Sequence, residues 1–258
     1  MSFRESASDT LVLARRNLLR IPRAPDLLLS FTVQPVMFVL LFVYVFGGAI
    51  ATPGFDDYTD FLIPGILIQT MSFGGFVTAL SLADDLGKGL IDRFRSLPMS
   101  RAAVLAGRTL ADVVTNLLSI AVMLAVGLLV GFSFNASALE IVAGVLLMLL
   151  FGYAFSWIFA LMGLTASSPE SAQALGFIAI FPLTFASSAF VPVDSMPSWL
   201  QAFAEVNPFT VTVDALRELF LGVPAPGNSI LWAIVWSVGL IAVFAPLAVA
   251  KYRRAVTR

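Results

Sequence analysis

The chain contains no cysteine and no histidine. Those absences exclude thiolate nucleophiles, imidazole bases, disulfides, palmitoylation and the commonest zinc and haem ligand sets. Charge is scarce as well: 12% of the residues are charged against 59% hydrophobic, and mean hydropathy is +0.94. A soluble domain with that balance would aggregate, so the composition describes an integral membrane protein. The formal net charge of −1 points to neither nucleic acid nor a polyanionic substrate. The glycine-rich phosphate cradle ending in Gly-Lys-Ser or Gly-Lys-Thr is missing, because Gly87-Lys88-Gly89 lacks both the hydroxyl and the preceding glycine spacing. This chain cannot hydrolyse ATP by that route.

What is present is a series of long apolar runs. A spanning helix needs about 20 mostly apolar residues. Six segments meet that criterion, at roughly 27–47, 61–83, 109–130, 140–164, 172–190 and 229–250. An even number returns both ends to one side, and the basic residues choose the side, since Lys and Arg near span ends stay in the cytoplasm. Arg4, Arg15, Arg16, Arg20 and Arg23 precede the first segment, Lys88, Arg93, Arg95, Arg101 and Arg108 follow the second, and Lys251, Arg253, Arg254 and Arg258 follow the last. Only Arg217 falls elsewhere, whereas the opposite loops carry Asp56, Asp57, Asp60, Asp194, Glu205, Asp214 and Glu218. Both termini are therefore expected in the cytoplasm. Arginine far outnumbers Lys88 and Lys251, a bias of high-GC bacteria, so the expected location is a bacterial plasma membrane.

Residues 1–26 have no short apolar core or cleavage site and do not read as a signal peptide. Leu11, Ala14, Leu18 and Ile21 form an apolar stripe opposite Arg16, Asn17 and Arg20, the pattern of an amphipathic helix lying on the membrane or of a solvated one. Gln34-Pro35, Pro64-Gly65, Gly74-Gly75 and Pro182 interrupt apolar runs. Such breaks serve either mobility around a pathway or close helix packing, and at Gly74 and Gly75 packing is the expectation.

The densest charge lies between the second and third segments. In residues 84–108, Leu86, Leu90, Phe94 and Leu97 share one helical face, with Asp85, Lys88, Asp92 and Arg95 opposite. Pro98 ends that helix and Ser100 can cap the next. A short amphipathic helix held between two spans is either a handle for a soluble partner or a helix resting on lipid headgroups. Residues 191–228 are too polar and Pro-rich to span, yet too apolar for a free loop, so they are expected to dip into the outer leaflet. Pro197 suits the first turn of a helix bearing Trp199, Leu200 and Phe203, and Pro208 that of another bearing Phe209, Val213, Leu216 and Phe220. Gly222 and Pro224 then end the second helix, in which Arg217 can pair with Asp214 at three-residue spacing.

Ionisable groups inside the spans are nearly absent: Asp112 sits about a turn inside the third and Glu140 begins the fourth. A proton-coupled carrier needs a midplane carboxylate, an intramembrane enzyme needs paired carboxylates at one depth, and neither is available. No inverted repeat relates the two halves. The deeper polar residues are neutral and suit a hydrophobic or amphipathic solute. Gln34, Gln69, Thr70, Phe73, Asn116 and Tyr153 are candidate pathway residues, though each polar one equally fits an interhelical hydrogen bond.

Two motifs resemble the membrane subunit of type-2 ABC exporters, in particular the daunorubicin-resistance permease branch. The run Gly89-Leu90-Ile91-Asp92-Arg93-Phe94-Arg95-Ser96-Leu97-Pro98-Met99-Ser100-Arg101 looks like that family's coupling helix after the second span. Phe190-Val191-Pro192-Val193-Asp194-Ser195-Met196-Pro197-Ser198-Trp199-Leu200, followed by Asn207-Pro208-Phe209 and Ala215-Leu216-Arg217, is similar to its extracellular re-entrant hairpin. The resemblance implies an all-α fold of six transmembrane helices. An amphipathic interfacial helix over 1–26, a coupling loop over 84–108, a re-entrant hairpin over 191–228 and a basic tail over 251–258 complete it, with 27–250 as the transmembrane domain. It also implies a second permease subunit and two cytoplasmic ABC ATPase subunits that hold the ATP and magnesium. Leu86, Leu90 and Phe94 would seat in an apolar cleft of the ATPase. Asp92, Arg93 and Arg95 would make charged contacts, and Gly87, Lys88, Gly89, Pro98 and Arg101 complete the candidate contact. Leu90 stands where the wider family often has Thr, which puts hydroxyl-mediated contacts in doubt. The expected cargo is a hydrophobic drug, lipid or lipid-like metabolite; a glycan or glycolipid permease and a non-transporting scaffold that recruits an ATPase are the alternatives.

Overall fold

A computed structural model of the chain describes residues 25–55, 57–87 and 101–255, with the side chains of 25–32, 101–104 and 254–255 left aside. Every regular element among the described residues is helical. Helix α1 is Pro25–Leu41, extended by a π-helical turn at Phe42–Phe46; α2 is Tyr58–Phe73, α3 Phe76–Gly87, α4 Arg101–Leu129, α5 Ala138–Thr165 and α6 Pro169–Phe185. The short helices α7, Ser198–Val206, and α8, Pro208–Leu221, precede the long α9, Ser229–Ala255.

Four helical segments are long and apolar enough to cross a membrane: Tyr58–Gly87, which joins α2 to α3, and Leu105–Leu129, Ala138–Thr165 and Ser229–Arg253. Helices α1 and α6 lie where the first and fifth apolar runs were read, but α6 has only 17 residues. It stops at Phe185, short of the expected residue 190, because the Asn207 amide donates to the carbonyls of Leu183 at 2.7 Å and Ala186 at 2.8 Å. Side-chain capping of free C-terminal carbonyls takes the place of a further helical turn.

Helix α5 is the axis of the bundle. It is apolar on all sides, and it packs against α9, α3, α2, α4, α8 and α6. Ser137 and Glu140 start it with a reciprocal capping box. Small residues allow the close approaches: a Cβ at Gly75 would lie 2.7 Å from Ser156 Cα, and one at Gly163 would collide with the backbone of Ala79. The packing expectation at Gly74-Gly75 is met, and this pair also separates α2 from α3. At Pro35, Pro64 and Pro182, by contrast, the helices run on without a break.

The two ends of the bundle differ. At one, Leu82, Leu105, Trp157, Leu164, Ala248 and Tyr252 form a separate apolar cluster between the end of α3, the start of α4 and the ends of α5 and α9. At the other, the 187–228 segment folds over the start of α2 and the α4–α5 connection, where Asn135 N–H donates to the Phe220 carbonyl at 2.9 Å. The interfacial stretch 1–24, the coupling residues 88–100 and the tail residues 256–258 lie outside the described residues.

Candidate functional site

At the end bearing α7 and α8, local sequence chemistry behaves as read. Pro197 precedes α7, Asn207 caps α8 by accepting from Phe209 N–H at 2.9 Å, Pro208 opens α8, and Gly222 closes it with φ +67°. Pro192 accepts from Ser195 N–H at 3.1 Å in a short turn. Phe209, Val213, Leu216 and Phe220 are fully buried, while Trp199 is 74% exposed. The apolar face of α8 thus belongs to the core and that of α7 to the surroundings.

Arg217 is the structural key of this end. It is 4% exposed, and its five N–H donors make five hydrogen bonds. Nε at 3.2 Å and Nη2 at 2.8 Å both donate to the Phe61 carbonyl; Nη2 also donates to the Ser188 carbonyl at 2.8 Å, and Nη1 to Ser188 Oγ at 3.2 Å and Asp214 Oδ1 at 2.8 Å. The guanidinium also lies 3.7 Å from the Phe61 ring centroid. One planar cation thereby joins α2, the turn after α6, and α8. Burial pulls it down to about 10 and Asp214 opposes the drop, so it stays charged at neutral pH. Two further contacts brace the joint: Tyr58 OH donates to the Phe190 carbonyl at 3.0 Å, and Gly65 admits the backbone of Ala189 so closely that a Cβ would collide with it.

Beside this clamp opens a cavity of about 990 Å³, bounded by Pro53 and Phe55, the turn at Val193 and Asp194, the ends of α7 and α8, and one stripe of α9. None of Gln34, Gln69, Thr70, Phe73, Asn116 and Tyr153 lines it. The surroundings of those six differ. Gln34 is exposed on α1, Gln69 is buried, and the Thr70 hydroxyl donates back to the Ile66 carbonyl at 2.7 Å. Phe73 joins a ladder of rings with Phe76, Phe177 and Phe181. Asn116 is buried against Gly74 and Gly152 with its Nδ2 unpartnered, and Tyr153 packs edge-on to Trp157 in the second apolar cluster.

At the opposite end, α3 and α4 lead into and out of residues 88–100. Of the coupling loop read over 84–108, residues 84–87 complete α3 and 101–108 begin α4. Two polar ties cross the helices. Thr78 Oγ1 lies 2.8 and 3.0 Å from the two carboxylate oxygens of buried Asp112, and Arg108 pairs with Asp85 at 3.0 Å. Leu86 is half-buried against the second apolar cluster and Gly87 is exposed. Of the other candidate coupling residues, Lys88, Gly89, Leu90, Asp92, Arg93, Phe94, Arg95 and Pro98 lie outside the described residues, and of Arg101 only the backbone is described.

The Asp214–Arg217 pair was readable from spacing. Ser188, the Phe61 carbonyl and Thr78 as partners were not, because the first two are 29 and 156 residues from Arg217 and Thr78 is 34 from Asp112.

This is an all-helical membrane protein with a capped helical pair at one end and a cross-tied pair of arms at the other. The profile of the ABC-2 type transporter family matches residues 8–221. The daunorubicin resistance ABC transporter permease protein DrrB1 of Streptomyces coeruleorubidus is 38% identical over 248 residues, 96% of this chain and 87% of that one. The probable doxorubicin resistance permease DrrC of Mycobacterium tuberculosis is 26% identical over 97% of this chain and 90% of its own. The probable multidrug ABC transporter permease YbhR of Escherichia coli K12 is 26% identical over 78% of this chain and 54% of its own. The chain belongs to the ABC-2 type transporter family, as a membrane permease of an ABC exporter.

Proposed function

We propose that this permease moves a hydrophobic or amphipathic drug, or a lipid-like metabolite, out across a bacterial plasma membrane. It does so as one of two permease subunits driven by two separate cytoplasmic ATPases that hold the ATP and magnesium. In this reading the chain spans the bilayer six times, with α1 and α6 as the two shorter crossings. Both termini and residues 88–100 face the cytoplasm, and α7 and α8 form a re-entrant hairpin in the outer leaflet. The distribution of Lys and Arg supports that orientation. Relatives whose names carry daunorubicin, doxorubicin and multidrug resistance support the substrate class.

The observation that carries the reading is the pair of polar ties between α3 and α4 on either side of residues 88–100. An amphipathic segment pressed by an ATPase can transmit force only if the helices on both sides of it move together. Thr78–Asp112 and Asp85–Arg108 bind those helices into one lever. The apolar residues Leu90 and Phe94 seat in the ATPase, and Asp92, Arg93 and Arg95 orient it.

The test is ATP turnover of the permease co-purified with its ATPase in nanodiscs, wild type against Phe94→Asp. Wild type is expected to retain the ATPase and respond to amphipathic drugs, and the variant to lose both. Unchanged assembly and turnover in Phe94→Asp would sink the coupling assignment and favour a scaffold that recruits an ATPase for another purpose.

A further inference from the structure

We propose that Asn116 is a positioning residue of the transport cycle: its side-chain amide, without a partner in the described arrangement, donates to the Met71 carbonyl once α4 has shifted against α2 and α5. Asn116 is 1% exposed within the apolar span Leu105–Leu129, and its Nδ2 is buried with no hydrogen-bond partner. A buried donor of this kind is unfavourable, because it has given up water and gained no acceptor in exchange. A leucine would occupy the same place without that cost. An amide is of use here only where it meets an acceptor, and the described arrangement is not that one.

The acceptor is close by. A Cβ on Gly152 would lie 2.6 Å from Asn116 Nδ2 and 3.3 Å from the Met71 carbonyl oxygen, so donor and acceptor crowd one point on α5 without bonding. Gly152 has no side chain, and that absence keeps the track between them open. The Met71 carbonyl also has capacity to spare. It accepts from Gly74 N–H at 3.2 Å at the break between α2 and α3, and a carbonyl oxygen carries a second lone pair. On the other side Gly74 gives the amide room, since a Cβ there would collide with Asn116 Oδ1.

The residues one turn away indicate which helices move. Asp112, one turn before Asn116 on α4, is tied to Thr78, one turn beyond Gly74. Helices α3 and α4 therefore travel together, and their tie survives a shift of the pair. Asn116 instead faces α2 and α5, against which the pair moves: α2 is fastened to Arg217 through the Phe61 carbonyl, and α5 packs on α8. A displacement of α4 across Gly152 leaves Thr78–Asp112 intact and brings Nδ2 within hydrogen-bonding distance of Met71. This role rests on the coupling reading and deepens it. The amide disfavours the described arrangement and favours the driven one, so one side chain biases the equilibrium between them.

The test compares wild type with Asn116→Leu, and with Asn116→Val, whose side chain is one atom shorter and stops short of Gly74. Thermal unfolding is followed in nanodiscs for the full-length permease alone and for its complex with the ATPase trapped by ATP, magnesium and orthovanadate. Alone, both variants are expected to unfold at the wild-type Tm or above, since they remove a donor that has no acceptor. In the trapped complex they should unfold at least about 3 °C below wild type, and drug-stimulated turnover should fall roughly fivefold or more while the ATPase still co-purifies. A merely structural role would move both states in the same direction. The proposal is overturned if both variants lower the Tm of the permease alone, which would show that the amide already has its partner, or if the trapped complexes match wild type. Phe94→Asp separates the two readings. If it leaves turnover intact, the coupling reading and this role fall together; if it abolishes turnover while the Asn116 variants match wild type in both states, only the role of Asn116 fails.

Discussion

Arg217 illustrates how a single residue can decide a junction between elements. A guanidinium presents its donors in a planar fork that an ammonium cannot reproduce, and here the fork is fully used. Replacing it with Met takes the countercharge from Asp214, which keeps only the Ser188 hydroxyl at 2.9 Å, and the side-chain donor from the Phe61 and Ser188 carbonyls. We expect a loss of roughly 3–5 kcal/mol, the usual cost of removing one partner from a buried pair. Arg217→Lys should recover only part of it. Thermal unfolding in detergent, followed by circular dichroism, measures both; a change below about 1 kcal/mol for Arg217→Met would remove the clamp from the account. Two glycines give a contrast of sign. Gly65→Ala drives a methyl into the backbone of Ala189 and should destabilise by about 1–3 kcal/mol. Gly239→Ala meets open space within a helix and should be neutral or stabilising, by up to about 1 kcal/mol. Equal effects at the two positions would mean that contact at Gly65 is not what limits it.

At the scale of elements, the α3–α4 lever makes the sharpest demand. Thr78→Val keeps the shape but removes the hydroxyl that reaches both oxygens of Asp112, and should cost about 1–3 kcal/mol. Its functional signature should be specific: the ATPase still co-purifies, while drug-stimulated turnover falls towards the basal rate. Arg108→Gln should act in the same direction, and the charge exchange Asp85→Arg with Arg108→Asp should restore stimulation. Failure of the exchange, with assembly intact, would show that the pair does not transmit. The break between α2 and α3 fits this division of labour. Gly74 and Gly75 separate the two helices where Asn116 and Ser156 approach closely, and under the proposed coupling α2 stays fastened to the Arg217 end while α3 moves with α4.

For the whole molecule, the central fact is that α2, α3 and the greater part of α5 are enclosed whereas α4 and α9 leave most of their apolar surface open. A surrounded apolar helix needs partners from its own chain. Open ones need lipid or another subunit. The same contrast divides the ends: the helical pair is fastened to α2 and to the turn after α6 by one buried cation, and the opposite end is held by apolar packing and two crossing ties. Under the proposed coupling, a permease driven from one end needs that difference, because movement delivered at the α3–α4 pair must be resisted at the other end if it is to change the space between them.

The sequence by itself determined the membrane class, the places of the apolar helices among the described residues, the α7–α8 pair and the family resemblance. All of these depend on local quantities: hydropathy over about 20 residues, capping residues beside Pro and Gly, and helical spacing. It also marked Asp214 and Arg217 as a pair, since they lie three residues apart. Only the tertiary structure decided what that pair does. Phe61 lies 156 residues from Arg217, and no local pattern records their meeting. Among the candidate pathway residues, Thr70 meets its hydrogen-bonding need within its own helix, a partner that polarity inside an apolar run does not reveal. The cavity likewise gathers Pro53, Asp194, Asp214 and Trp232 into one lining, an arrangement created by packing because its parts are distant in the chain.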